Sequence, residues 1–269
     1  MPGPGEPVGA GGPAGAGDPV GAGDPAGAGG LAGAAWTDVR AAPLVLVPVG
    51  STEQHGPHLP LSTDTVIAEA VAARAADALR AEADGQVLVT PAIAFGASGE
   101  HAGFPGTVSI GHEALHAVLV ETVRSLALWA GRVVFVNGHG GNVPTLDAAA
   151  GRMRAEGHDT AWVGCGVPGG DAHAGFTETS VMLHLAPDLV RPFGGVTGET
   201  RPLAAIMPDL VAGGVRAVSP SGVLGDPAGA TAERGREIAA DMVASVVRRI
   251  GGRRADERGR LLDPAAARP

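Results

Sequence analysis

The stretch Gly50-Ser-Thr-Glu-Gln-His-Gly-Pro-His-Leu-Pro-Leu-Ser-Thr-Asp-Thr places Glu53, His55, His58 and Asp64 close together in sequence. Imidazole nitrogen mixed with carboxylate oxygen is a donor set that divalent cations take. Glu53 and His55 are two apart in an extended segment, so their side chains project to the same side. Asp64 stands where a helical pattern begins, and either Thr63 or Asp64 can serve as its N-cap. The bland reading is that Asp64 only caps that helix while His55 bonds a loop carbonyl. The convergence of several ligand types favours a cation site instead. His58 reads as loop packing or as support behind the ligands.

Two more segments carry the same residue types. In Asn137-Gly-His-Gly-Gly-Asn, glycines let the backbone turn tightly and present His139. Alone, that turn could equally be a plain strand-to-helix connection or an anion nest. In Asp171-Ala-His-Ala-Gly-Phe-Thr-Glu-Thr-Ser, Thr177 can cap a following helix, with Glu178 in its first turn. The helix dipole alone would favour an acid there. His173 sits in a small-residue setting that suits a group passing a proton to a leaving amine. Ser98, Glu100, His101 and Phe104, in Gly96-Ala-Ser-Gly-Glu-His-Ala-Gly-Phe-Pro-Gly-Thr, lie on the same rim and read as a substrate pocket wall. Gly164-Cys-Gly-Val-Pro-Gly169 fits a dinucleotide pattern, but Pro168, Gly169 and Gly170 prolong the loop where a helix should open. Cys165 reads as a small core residue and not as a nucleophile.

These segments follow strands. Leu44–Val49, Val87–Pro91, Val133–Asn137 and Thr160–Gly164 are short apolar runs without alternation, as expected of parallel strands covered on both faces. Helical patterns span Thr65–Arg80, Glu113–Ala130, Val143–Glu156, Thr177–Leu185 and Thr231–Arg249. Strands alternating with helices predict an α/β doubly wound sheet. Ligands of such sheets sit outside the carboxyl ends of the strands, and each acid-and-histidine cluster falls there.

Composition narrows the function classes. The chain has 269 residues and a formal net charge of −9, which argues against nucleic acid as a partner. It has no lysine, so a Walker A loop, a Schiff base and a lysine base are excluded. Residues 1–35 hold a Pro-Gly-Ala-Asp repeat with little apolar bulk and read as a disordered tail. Residues 36–250 read as the catalytic domain, and 251–269 as a flexible C-terminal tail carrying part of an arginine cluster. No run approaches the ~18 apolar residues of a membrane span. With no secretory signal pattern and a single cysteine, Cys165, the expected compartment is the cytoplasm.

GSTEQHGPHLPLSTD, GEHAGFPGTVS, NGHGGN and DAHAGFTETS, in this order and spacing, resemble the creatininase family. The resemblance extends over about Leu44–Leu185 and more loosely to Ile250. It implies a three-layer αβα fold with a mostly parallel sheet, two divalent ions (Zn, Fe or Mn) and a homo-oligomer. It also implies that Glu53, Asp64 and His139 hold one ion, and that His55, Asp64 and a further carboxylate hold the other. In the creatinine-hydrolysing branch that carboxylate lies two residues after the loop histidine. Here the position is Gly141, and Glu178 is taken as its substitute. HAGFTETSVMLHLAP and SPSGVLGDP look most like the mycofactocin-system branch. That branch is implied to be a peptidase releasing the modified C-terminal Val-Tyr fragment of a small ribosomal precursor peptide. The expected chemistry is amide hydrolysis by a metal-acidified water, with His173 protonating the leaving nitrogen. The rivals are a creatinine or formamide amidohydrolase on the same scaffold, and a non-catalytic metal-binding assembly protein.

Overall fold

A computed structural model describes residues 30–82 and 85–264. Four strands, β1 (Leu44–Val49), β2 (Val87–Val89), β3 (Arg132–Asn137) and β4 (Thr160–Gly164), form one sheet in the order β2-β1-β3-β4. All three pairings are parallel, with Val45 opposite Val133 and Val133 opposite Thr160. Parallel neighbours need crossovers, and helices supply them. These are α1 (Thr63–Glu82), α2 (Gly111–Leu126) and α3 (Val143–Ala155). They are followed by α4 (Phe176–Leu185), α5 (Leu203–Val218) and α6 (Ala232–Gly252).

Strand side chains alternate between faces, and that period splits the core in two. Leu46, Val134, Val136 and Val163 pack with α1, α4 and α6. Val45, Val47, Phe135 and Trp162 pack with α2 and α3. The result is three layers, αβα, as expected. Phe135 and Trp162 are among the largest fully buried side chains. Truncating either to Ala would cost about 3–5 kcal/mol.

Several boundaries differ from expectation. β2 ends at Val89 rather than at Pro91, because Pro91 has no N–H to continue a ladder. α2 stops at Leu126, where the chain tightens into turns through Trp129. α5 was not expected at all. Its sequence holds Pro208, Gly213 and Gly214, and Gly214, at φ 70°, divides it into two helical pieces.

The tails also differ where they are described. Residues 1–29 of the expected N-terminal tail and residues 265–269 lie outside the described residues. Leu31, counted with that tail, instead packs against the α2–α3 side of the core. The C-terminal segment is no free tail up to 264. Gly252 still belongs to α6, and the chain then folds back to pair Arg260 with Trp162. Leu261 is buried, and the Arg260 guanidinium stacks over the Trp162 ring. The arginines pair locally, Arg253 with Asp159 and Arg248 with Asp263. Among the described residues, no helix is long and apolar enough to cross a membrane.

Candidate metal centre and cavity

The three loops meet at the carboxyl ends of β1, β3 and β4. The β1 loop delivers Glu53 and His55 and is pinned by the Glu53 N–H donating to the Leu61 carbonyl. Asp64 lies in the first turn of α1, as a helical residue rather than a cap. Its Oδ2 accepts from the Ser51 hydroxyl at 2.6 Å. The β3 loop approaches α1 so closely that a Cβ on Gly138 would lie 2.4 Å from the Asp64 carbonyl oxygen. Only glycine lets the two segments touch there, and this contact delivers His139 beside Asp64.

Glu53 is the centre of the cluster. Its carboxylate is fully buried, and neither oxygen accepts a hydrogen bond of good geometry. Around Oε1 stand His139 Nδ1 at 3.2 Å, His101 Nε2 at 3.3 Å and His173 Nδ1 at 3.7 Å. An uncompensated buried carboxylate costs several kcal/mol, so the site demands positive charge. Asp64 joins from the other side, with His139 Nδ1 3.2 Å from Oδ2 and His55 Nε2 3.0 Å from Oδ1. Glu178 Oε2 is 3.8 Å from His55 Nε2.

Three overlapping groups have donor atoms close enough to share an ion. They are Glu53, Asp64 and His139; His55, His173 and Glu178; and Glu53, His101 and His173. The structure therefore brings together Glu53, His55, Asp64, His139, His173 and Glu178. His173 stands within two of these groups rather than apart from them. His101 borders the cavity and also reaches into the cluster, with its Nδ1 2.8 Å from the Gln54 amide nitrogen.

The electrostatics follow from burial and crowding. Burial opposes charge on His55, but Asp64 and then Glu178 override it and lift the imidazole to about 9. His139 is likewise raised well above its ordinary value against burial, through Asp64, Glu100 and Glu53. Asp64 is held well below the usual carboxylate range, because the two imidazoles outweigh its burial. Burial pushes Glu178 up to about 7, with His55 opposing. His173 is depressed by burial and by the neighbouring His55 and His101. Its Nε2 lies 2.8 Å from the Gln54 carbonyl oxygen and donates there, which leaves Nδ1 as the lone pair facing Glu53.

The donor set fits divalent cations: an orphaned buried carboxylate, two more acids, and imidazole nitrogens aimed at them. Glu53, His55, Asp64, His139 and Glu178, with His173 beside them, are residues that could hold such ions.

A cavity of about 920 Å³ opens beside the cluster. Glu100, His101, His139, His173 and Glu178 face it from one side, and Leu203, Met207, Leu210 and Val211 of α5 from the other. Ser98 and Phe104 do not reach it. Ser98 is fully buried, its N–H donating to the Ser109 hydroxyl. Phe104 packs with Ile206, Val215 and Leu224, under the Arg216 guanidinium. Cys165 borders the cavity, but burial pushes its thiol up to about 12, unlike a nucleophile. His58 is buried and bonded to the Thr179 hydroxyl, which ties the β1 loop to α4.

Sequence reasoning missed two supports. Thr177 is not the cap of α4. The N-cap position is Gly175, and the Asp171 carboxylate reaches in from the preceding loop to accept from the N–H groups of Phe176 and Thr177. The signal was present, since an acid in the loop before a helix start suits exposed N–H groups. The second is the contact made by Glu100, read from sequence only as pocket wall: its Oε1 lies 3.4 Å from His139 Nε2. Nothing in the spacing placed it beside a loop reached from another strand.

Comparison with known proteins identifies relatives of the whole chain. The chain is 57% identical over 219 residues to the mycofactocin precursor peptide peptidase of Mycolicibacterium smegmatis, covering 81% of this chain and 89% of that one. It is also 57% identical over 213 residues to the protein of that name from Mycobacterium tuberculosis H37Rv, covering 78% and 85%. A solved creatinine amidohydrolase superposes with a TM-score of 0.62 at 28% identity, over 78% of this chain and 90% of that one. Two more solved creatininase chains, a mutant of Zn-Zn type and one described as Mn, align at TM-scores of 0.57 and 0.58. They are 26% and 27% identical, over 76% of this chain and 88% of theirs. The model of the creatininase (creatinine amidohydrolase) family matches residues 32–250. With most of its length inside that match, the chain belongs to the creatininase family of amide hydrolases.

Proposed function

We propose that this chain is a metal-dependent peptidase that cleaves an amide bond near the C-terminus of a small modified precursor peptide. The substrate class rests on the likeness to the mycofactocin precursor peptide peptidases. The carrying observation is Glu53, a fully buried carboxylate with no hydrogen-bond donor and three imidazole nitrogens turned towards it. Two divalent ions suit the cluster, one among Glu53, Asp64 and His139 and one among His55, Asp64 and Glu178. Zinc, iron and manganese all match nitrogen-and-carboxylate ligation. When bound, such ions polarise an amide carbonyl and acidify water.

The protein's own groups do the rest. Glu178, at the cavity side of the cluster, serves as the base that takes the proton given up by the attacking water. His173 Nδ1, a free lone pair at rest, takes up the proton that Glu178 has drawn from water and passes it to the leaving nitrogen, which would otherwise depart poorly. The Gln54 carbonyl fixes the His173 ring for that transfer. Apolar side chains of α5 cover the modified end of the substrate and exclude water. Exposed Val211 and half-exposed Leu203 and Met207 on the same helix also support a homo-oligomer. The single cysteine, a buried thiol, supports a cytoplasmic setting.

The test offers the metal-loaded protein a C-terminally modified peptide, creatinine and a formylated amine side by side. Cleavage of the peptide alone is expected. Turnover of creatinine or the formylated amine instead would reassign the substrate. Bound metal with no turnover of any of the three would favour a binding protein.

A further inference from the structure

His139 presents two nitrogens to two different worlds. Nδ1 faces inward, 3.2 Å from both Glu53 Oε1 and Asp64 Oδ2. Nε2 faces outward, 3.2 Å from the Ala97 carbonyl oxygen and 3.4 Å from Glu100 Oε1. A carbonyl and a carboxylate both accept, so the ring proton belongs on Nε2. The Nδ1 lone pair is then free for a cation.

The space that Glu100 uses exists because residue 141 has no side chain. A Cβ on Gly141 would sit 2.4 Å from Glu100 Oε1, 2.4 Å from His139 Nε2 and 2.5 Å from the Ala97 oxygen. The turn that carries Glu100, Gly99–His101, is also held from outside. Gly214 of α5 lies against it, where a Cβ would come within 2.8 Å of the Glu100 carbonyl oxygen. Arg216 of the same helix donates to the Gly103 carbonyl at 2.6 Å.

We propose that Glu100 is a positioning residue: seated in the gap left by Gly141, it holds His139 in the Nε2–H tautomer and strengthens its hold on a cation. This rests on the reading of His139 as a ligand. Glu100 also borders the cavity and is part-exposed. The competing role is therefore direct contact with substrate, and the two roles move different measurements.

Zinc affinity is measured by competition with a chromophoric chelator, alongside kcat and KM at saturating zinc, for Glu100→Ala, Glu100→Gln and His139→Ala. Loss of a carboxylate behind a ligating histidine weakens metal binding about 10–100-fold. Glu100→Ala is expected within that range and Glu100→Gln nearer its lower end, with KM at saturating zinc unchanged. Unchanged zinc affinity with a raised KM would overturn the proposal in favour of substrate contact. If His139→Ala weakens zinc binding and neither Glu100 variant does, the proposal fails and the site reading stands. If His139→Ala leaves zinc binding intact, both fail.

Discussion

The two walls of the cavity are built differently. The wall at the strand ends is polar, buried and backbone-braced: Glu53 and His55 are fully buried, and Asp64 and His139 nearly so. The α5 wall is apolar and open, with Met207 42% and Val211 81% exposed, on a helix interrupted at Gly214. Charged donors need fixed distances, so they stand on short loops leaving a packed sheet. Apolar contacts tolerate adjustment, so they can ride on a part-packed helix. The contrast teaches that chemistry and substrate selection are separable here, and mutation should separate them.

The largest effect is expected from the rigid wall. Glu53→Gln keeps the volume but removes the charge at the centre of three imidazoles. Metal content measured by elemental analysis should fall, and peptide cleavage should drop by about 10³-fold or more. Retained metal and turnover would break the comparison at its base. Next comes His173→Ala. Turnover should fall about 10²–10⁴-fold while metal content falls much less. Equal loss of both would make His173 a ligand instead.

The α5 wall should respond in another currency. Met207→Asp puts a charge where an apolar substrate end would lie. KM should rise about 10-fold, near the lower end of the roughly 1–3 kcal/mol that a small apolar contact carries, with metal content unchanged. Loss of metal in that variant would show that the two walls are not separable.

The smallest effect is one of stability. His55 is raised from 6.5 to about 9, so its contribution in the metal-free protein is complete below pH 6.5 and lost as pH rises through 9. The Tm of metal-free protein should include a fall over that window, and His55→Asn should lessen it, with the raised His139 leaving a remainder.

Much of the rigid wall was legible in sequence, because its parts are local. Apolar runs marked β1 and β4 to the residue, and His139 and the Glu53–Asp64 stretch follow strands directly. The flexible wall was not legible. Pro208, Gly213 and Gly214 hide a helix from any propensity argument, and α5 forms because Ile206 and Val215 bury themselves beside Leu224. His101 borders the cavity as its loop suggested, but its spacing says nothing of Glu53, to which it turns across two loops. Phe104 was misplaced for the same reason, since only packing against α5 decides which side of the turn it takes.

The contact of Gly138 with the Asp64 carbonyl means that main chain, and not any guest, sets how far His139 stands from Asp64. The cage stands on two segments locked together by their own backbones. Emptying it should leave its outline standing, so one kind of ion can be traded for another without refolding the host.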